Sequence, residues 1–281
     1  MPATSNGASP SSSSSPIRLC VVGATGRMGG TIIKEAPADR FKVTGAVAAE
    51  GESGIGKTLR ELGIAETDVE VETPASLGRL LASADVCVSF TSAAAEVANI
   101  PTIAAAGRPY VLGTTGFSDA QHGRIVTELT GKVPCVMASN FSIGANMLFA
   151  MASTLKSLPP DFDVSILEMH HSGKADAPSG TAKTIADAVS AARGYSTTVY
   201  GRSGLSKRAK GELEVASFRG GGMPGEHAIY AFGPNEMLKF EHLAFSRSAF
   251  AQGALVAASW LTAPGREPRV YSMLDVLGFK P

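Results

Sequence analysis

Long apolar runs are absent from this sequence. No stretch of the 281 residues reaches the ~18 that a membrane-spanning helix needs, and the longest candidates, 145–155 and 250–261, are shorter and interrupted. An excess of charge of one sign is also missing, because Lys+Arg and Asp+Glu both number 25. That balance excludes a general binder of nucleic acid or other polyanions, which carries a basic surplus, and leaves room only for local basic pockets. Cysteine is scarce: Cys20, Cys87 and Cys135 are far apart, odd in number and set in apolar, strand-like runs. They read as reduced core residues of a cytoplasmic protein, with neither a disulfide framework nor a metal site implied. The first sixteen residues hold seven Ser, three Pro and no charged side chain. Such a segment buries too little apolar surface to order itself, so residues 1–16 are expected to be a disordered tail. A secretory signal would have a basic start and an apolar centre, and a transit peptide would carry Arg, of which the first is Arg18.

What is present points to a globular enzyme. Hydrophobic residues make up 44% and glycine is frequent, with 31 copies. At ~150 residues per domain the length suggests two domains. From Ile17 short apolar runs (17–23, 42–48, 86–91, 110–115, 133–139) alternate with helix-length segments such as 93–106 and 118–129. The second of these helices opens with Ser118 and Gln121 at capping-box spacing. Strands that are apolar throughout and separated by helices predict a parallel sheet covered on both faces, a Rossmann-type doubly wound α/β domain. After Asn146 the pattern changes. A helix over 145–155 leads to the strand DVSILEMHH, a polar loop and a helix over 179–193, and then GELEVASF, EHAIYAFG and EMLKFEHLAF follow without intervening helices. This predicts a second, α+β domain with a mixed or antiparallel sheet, closed by an apolar helix over 250–261.

Three groups of residues carry chemistry. GATGRMGG (23–30) places Gly23, Gly26 and Gly29 between a strand and a helix, where glycine permits a tight turn and close approach to a pyrophosphate at the helix N-terminus. A bare glycine turn is the alternative. Glu50, 21 residues after Gly29, is placed to hold ribose hydroxyls, although a solvated loop carboxylate looks the same, and no Lys or Arg follows that strand until Lys57. NADH or NADPH both fit, with a lean to NADH. GTTGF (113–117) and ASNFS (138–142) end strands at the edge where open α/β sheets bind ligands, although ordinary turns use the same residues. The most informative stretch is EMHHSGKADAPSGTAKT (168–184), with His170, His171, Lys174 and the helix-opening Ser179, Gly180 and Thr181 within twelve residues. Imidazoles that titrate near neutrality, an ammonium group and a helix N-terminus together suit a small dicarboxylate substrate with a proton donor beside it. Metal binding is the rival, but adjacent His on a strand point to opposite faces and no third ligand is close in sequence; a structural pair of His in a polar loop is the plainer alternative. His122, His227 and His242 have no comparable company and read as structural, with His242 the one expected to be buried.

These motifs, in this order, resemble the dihydrodipicolinate reductase (4-hydroxy-tetrahydrodipicolinate reductase) family of the diaminopimelate route to lysine, over residues 17–278. The E-x-H-H-x-x-K-x-D-x-P-S-G-T block carries the resemblance, supported by GATGRMG, GTTGF, NFSIG, GEH and the SR before the last helix. The resemblance implies a dinucleotide-binding domain (17–141), a substrate-binding and oligomerisation domain (142–246), a C-terminal helix and tail (247–281) that return to the first domain, and a homotetramer. It implies that Gly23, Ala24, Thr25, Gly26, Arg27 and Met28 hold the pyrophosphate of NAD(P)H. Gly113, Thr114, Thr115, Ala138, Ser139, Asn140 and Phe141 then line the nicotinamide side, with Arg247 nearby. His170 and Lys174 are the implied proton donors, and His171, Lys174, Ser179, Gly180 and Thr181 the implied carboxylate binders. The chain departs from the pattern at Ala49, where the family places the acidic residue that Glu50 supplies one position late. It departs again in SFTSAA (89–94), where DFT and a Pro turn are usual; Ser89 and Ala93 are expected to loosen that wall. Other enzymes of related fold, such as aspartate-dehydrogenase-like or semialdehyde-dehydrogenase-like proteins, and a non-catalytic nucleotide sensor are the alternatives. The former group includes members that need a nucleophilic Cys in a polar loop, and the sensor has no use for two His, a Lys and SGT together.

Overall fold

Alternate residues of each N-terminal strand enter two different cores, which is why these strands read as apolar throughout. The structure, a computed structural model, describes residues 15–279, so the expected disorder of the Ser-rich tail falls almost entirely outside the described residues. β1 (Ile17–Val22), α1 (Arg27–Glu35), β2 (Phe41–Val47), β3 (Val71–Glu72), α2 (Leu77–Ala82), β4 (Val86–Ser89), α3 (Ala93–Ala106), β5 (Tyr110–Leu112), α4 (Asp119–Leu129) and β6 (Cys135–Met137) build the first unit. Its seven parallel strands run in the order β12-β6-β5-β4-β1-β2-β3, with β12 (Val270–Tyr271) supplied by the end of the chain. Leu19, Val21, Val88, Val111 and Val136 face one core, and Cys20, Val22, Cys87, Leu112 and Cys135 the other. The order reverses between β1 and β4, and a doubly wound sheet opens its ligand crevice at that switch point. α4 begins with the expected capping box, Ser118 Oγ accepting from Gln121 N–H while Gln121 Oε1 accepts from Ser118 N–H.

The second unit follows with α5 (Ile143–Thr154), β7 (Asp163–His170), α6 (Gly180–Arg193), β8 (Thr197–Tyr200), β9 (Glu212–Arg219), β10 (Glu226–Phe232) and β11 (Met237–Leu243). Its sheet has the order β11-β10-β7-β9-β8 and is mixed: β10 runs antiparallel to β7 and β11, while β7, β9 and β8 are parallel. α5 and α6 cover one face through Leu148, Ile185 and Val189 packed on Val164, Ile166 and Ile229. Phe218, Phe232, Met237 and Leu243 stay exposed on the other face. α7 (Ser248–Thr262) then lays Ala251, Ala254, Leu255 and Ala258 into the first unit's core beside α1, and α8 (Met273–Val276) is the last element among the described residues. The short elements β3, α2, β8, β12 and α8 have two to six residues and too little periodicity to stand out in the sequence.

Candidate active site

The glycine turn between β1 and α1 is built for close approach. Gly23 adopts φ +83°, and a Cβ there would lie 2.4 Å from the Phe90 carbonyl oxygen. A Cβ on Gly29 would lie 2.1 Å from the Gly23 carbonyl oxygen, so α1 can pack on its own turn only as glycine. Gly26 is the N-cap and no side chain caps the helix, which leaves first-turn N–H groups for an anion. These features fit the pyrophosphate of a dinucleotide. Ala24 is fully buried and offers only its backbone, Thr25 packs against Gly54, and Arg27 is exposed. Glu50 is exposed just beyond β2, beside Ala49.

A cavity of about 260 Å³ joins the two units. Met28, Phe90, Gly113, Thr115, Ser139 and Phe141 line one side, and His170, Thr181, Gly225, His227 and His242 the other. A Cβ on Gly113 would fall 2.1 Å from the Phe90 ring, so glycine lets that ring lie across the end of β5. Phe90 meets Phe141 edge-on at 5.5 Å between ring centres. Asn140 spans the units, its Nδ2 donating to Thr181 Oγ1 at 2.9 Å and its Oδ1 accepting from Ser142 N–H at 2.8 Å. Ala138 is half-buried and not in the lining. Thr114 departs from expectation: its hydroxyl turns inward and donates to buried Glu96 at 2.5 Å, so only backbone there is open to a cofactor. Ser89 also corrects its reading. It is fully buried and donates to Glu96 at 2.7 Å, which ties the crevice wall down instead of loosening it.

The chemistry gathers where the buried face of β7 turns from apolar to charged. Val164, Ile166, Glu168 and His170 share that face by strand alternation, and the parallel register sets Arg219 of β9 beside His170. Glu168 is fully buried; it accepts from Arg219 Nη2 at 2.7 Å and Nη1 at 3.0 Å, and bonds His170 Nδ1 at 2.5 Å. Burial opposes its charge, but hydrogen bonds from Arg219, Ser217 and His170 outweigh this and hold its carboxyl below the usual range. With Nδ1 engaged by Glu168, His170 presents Nε2 to the cavity. Gly225, at φ +154°, makes room for it, since a Cβ there would be 3.0 Å from Nε2. Burial lowers the proton affinity of His170 despite Glu168. Glu168, His170 and His227 each bring a possible metal-ligand atom within 4.8 Å of the others. Arg219 occupies the same carboxylate, however, and its positive charge disfavours a cation there.

The other expected residues sit around this centre. Lys174 lies outside the lining, paired with Asp176 at 2.6 Å, and the Asp176 carbonyl accepts from Arg219 at 2.6 Å. His171 faces a neighbouring cavity of about 580 Å³ that it shares with Arg27 and Arg247. Gly180 and Thr181 open α6 toward the crevice, but Ser179 is committed elsewhere. Its Oγ accepts from Ala182 N–H at 3.1 Å and bonds His227 Nε2 at 3.0 Å, so its hydroxyl is not free for the expected contact with a substrate carboxylate. His227 overturns its reading as a residue without company: it is buried and its ring meets that of His170 at 5.1 Å. His242 is the more exposed of the two and bonds Ser142 Oγ at 3.0 Å. Glu168, Arg219 and His227 are thus the residues that sequence reasoning missed, although the E in EMHH and the GEH motif mark two of them.

Burial, reinforced by the charge of His170, pushes His227 down to about 3. The unfolded chain binds a proton there at the ordinary histidine value and the folded chain does not. Stability attributable to His227 is therefore lost as pH falls from about 6.5 towards 3, by about 1.4 kcal/mol per pH unit. Urea unfolding at several pH values is expected to show a shallower acid loss for His227→Asn than for the native chain, and equal slopes would refute the coupling.

The switch-point crevice, the glycine turn and the proton-bearing second domain together define an NAD(P)H-dependent oxidoreductase of the two-domain α/β class. Residues 17–141 match the N-terminal, and 144–277 the C-terminal, family profile of dihydrodipicolinate reductase, and the chain belongs to that family. It is 40% identical to the 4-hydroxy-tetrahydrodipicolinate reductase of Afipia carboxidovorans over 94% of this chain and 98% of that one. It is also 40% identical to the reductase of the same description from Methanoculleus marisnigri, over 93% and 99%. In fold it resembles a dipicolinate-bound dihydrodipicolinate reductase from Paenisporosarcina sp. TG-14, with a TM-score of 0.70 and 24% identity over 93% of this chain and 99% of that one. An amine dehydrogenase from Mycobacterium smegmatis shares the fold at TM-score 0.57 and 13% identity, covering 93% and 96%. Cys20, Cys87 and Cys135 are buried and none lines the crevice, which leaves a semialdehyde-dehydrogenase-like reaction without its thiol.

Proposed function

We propose that the chain reduces 4-hydroxy-tetrahydrodipicolinate to tetrahydrodipicolinate with NAD(P)H, in the diaminopimelate route to lysine. The observation that carries this reading is His170 Nε2 facing the cavity opposite Met28, Gly113 and Thr115, with Glu168 and Arg219 behind it. A bound NAD(P)H supplies the hydride. The net change adds that hydride and one proton to the ring and releases water from the 4-hydroxy position. His170 gives the proton from Nε2; Glu168 steadies the imidazolium at Nδ1, and burial makes that imidazolium a stronger acid. Thr181 and the backbone at the start of α6 hold one substrate carboxylate. Lys174 exchanges Asp176 for the other, assisted by His171, and is placed as a second proton donor.

Glu50 beyond β2, with no Lys or Arg before Lys57, favours the ribose hydroxyls of NADH over a 2′-phosphate. The uncovered sheet face bearing Phe218, Phe232, Met237 and Leu243 supports a homotetramer built through the second domain. Buried reduced cysteines suit a cytoplasmic location, and no helix among the described residues is long and apolar enough to cross a membrane. The reading is tested by titrating dipicolinate into the NADH-loaded protein. Lys174→Ala is expected to weaken binding about tenfold or more, as loss of a charge-assisted contact does, and to raise KM while lowering kcat. Dipicolinate binding that is absent, or unaffected by the substitution, would count against the site.

A further inference from the structure

We infer that Glu96, on α3, is the positioning residue for the cofactor side of the crevice, holding β4 and β5 and the turns that follow them together. Its side chain is fully buried, and four hydroxyl groups converge on it. Oε2 accepts from Ser89 at 2.7 Å, Thr91 at 2.9 Å and Thr114 at 2.5 Å, while Oε1 accepts from Tyr110. Thr91 N–H donates in turn to Thr114 Oγ1 at 2.9 Å. Among the described residues no Lys, Arg or His pairs with this carboxylate, although a charged group taken from water is costly. Ser89, Tyr110 and Thr114 are themselves buried, so the carboxylate is the shared acceptor that keeps their hydroxyls satisfied and thereby fixes where they sit.

The atoms it fixes are those the cofactor site is built from. Phe90 and Thr91, directly after β4, form the surface on which Gly23 rests, since a Cβ there would meet the Phe90 carbonyl oxygen at 2.4 Å and Thr91 Cγ2 at 3.2 Å. The Phe90 ring lies over Gly113, and Thr115 beside Thr114 lines the cavity. One carboxylate therefore sets the spacing between the pyrophosphate turn and the nicotinamide wall. Ser89 Oγ is 2.7 Å from Glu96 Oε2, so an aspartate at position 89 would carry its oxygens to the point where Thr91 and Thr114 donate. The carboxylate is thus expected to be transferable from helix to strand.

The inference rests on the reading of this crevice as the NAD(P)H site, and the test separates the two. NADH affinity is measured by fluorescence titration, with the folded fraction and melting temperature recorded for each protein. Glu96→Val is expected to weaken NADH about tenfold or more, and Ser89→Asp/Glu96→Val to return it to within about threefold of native by restoring the charged acceptor. A merely structural residue would lower the folded fraction without changing the affinity of what folds. Should Glu96→Val fail to fold, Glu96→Gln keeps the shape, turns an amide group toward hydroxyl donors, and is expected to weaken NADH in the same direction. Native affinity in Glu96→Val or Glu96→Gln overturns the inference, as does a double variant no better than Glu96→Val. No NADH binding by the native chain overturns the cofactor reading and the inference together.

Discussion

Replacing His170 with glutamine lowers kcat by about 10²–10⁴-fold, the range lost when a general acid is removed, while NADH affinity stays at the native level. His170 is the last residue of β7, and alternation puts it on the same buried face as Glu168, two positions earlier. Glu168 bonds Nδ1, which leaves only Nε2 to meet substrate. Glutamine fills similar space and retains a polar end, but it has no proton to give at neutral pH. Because burial lowers the proton affinity of His170, the protonated donor is depleted as pH rises through a value below the ordinary histidine range. The kcat/KM profile, which reports the free enzyme, therefore falls with rising pH, and a bound dianion shifts the corresponding limb of the kcat profile upward. Glutamine is expected to remove the limb from the kcat profile. Native kcat in the variant would show that the proton comes from elsewhere.

Arg219→Met is expected to destabilise the protein by about 3–5 kcal/mol, the cost of leaving a buried charge without its partner. Glu168 is fully buried, and two of its strongest bonds come from this guanidinium. Arg219 also donates to the Asp176 carbonyl, so its loss frees the loop that carries Lys174. The denaturation midpoint should fall, and dicarboxylate binding should weaken along with it. The double variant Glu168→Gln/Arg219→Met is expected to recover much of the stability, since it removes the stranded charge as well as its partner. A loss below about 1 kcal/mol, the scale of a surface ion pair, would mean that Glu168 is neutralised by other means.

The dinucleotide-binding sheet was legible in the sequence because both its faces are covered. Runs such as IRLCVV and VCVS are apolar at every position, and Gly23, Gly26 and Gly29 fall between a strand and a helix. His170, Lys174 and the opening of α6 were legible because they lie within twelve consecutive residues. Arg219 was not, since it reaches Glu168 only through the parallel pairing of β7 with β9, 51 positions away. His227 was hidden for the same reason: its partner is set by the register of β10 against β7. Thr114 and Ser179 show a different limit. The sequence marks the turns that carry them, but the direction of a hydroxyl depends on Glu96 and His227, which enter from other elements.

This crevice is expected to pass hydride and proton to a cyclic imine dicarboxylate. That transfer is tested most directly by following oxidation of NADH and NADPH with freshly prepared 4-hydroxy-tetrahydrodipicolinate, native chain beside His170→Gln. The native chain should turn over with a higher kcat/KM for NADH than for NADPH, and the variant should lose most of that turnover. Nucleotide binding without oxidation of either cofactor, or equal turnover in both proteins, would contradict it.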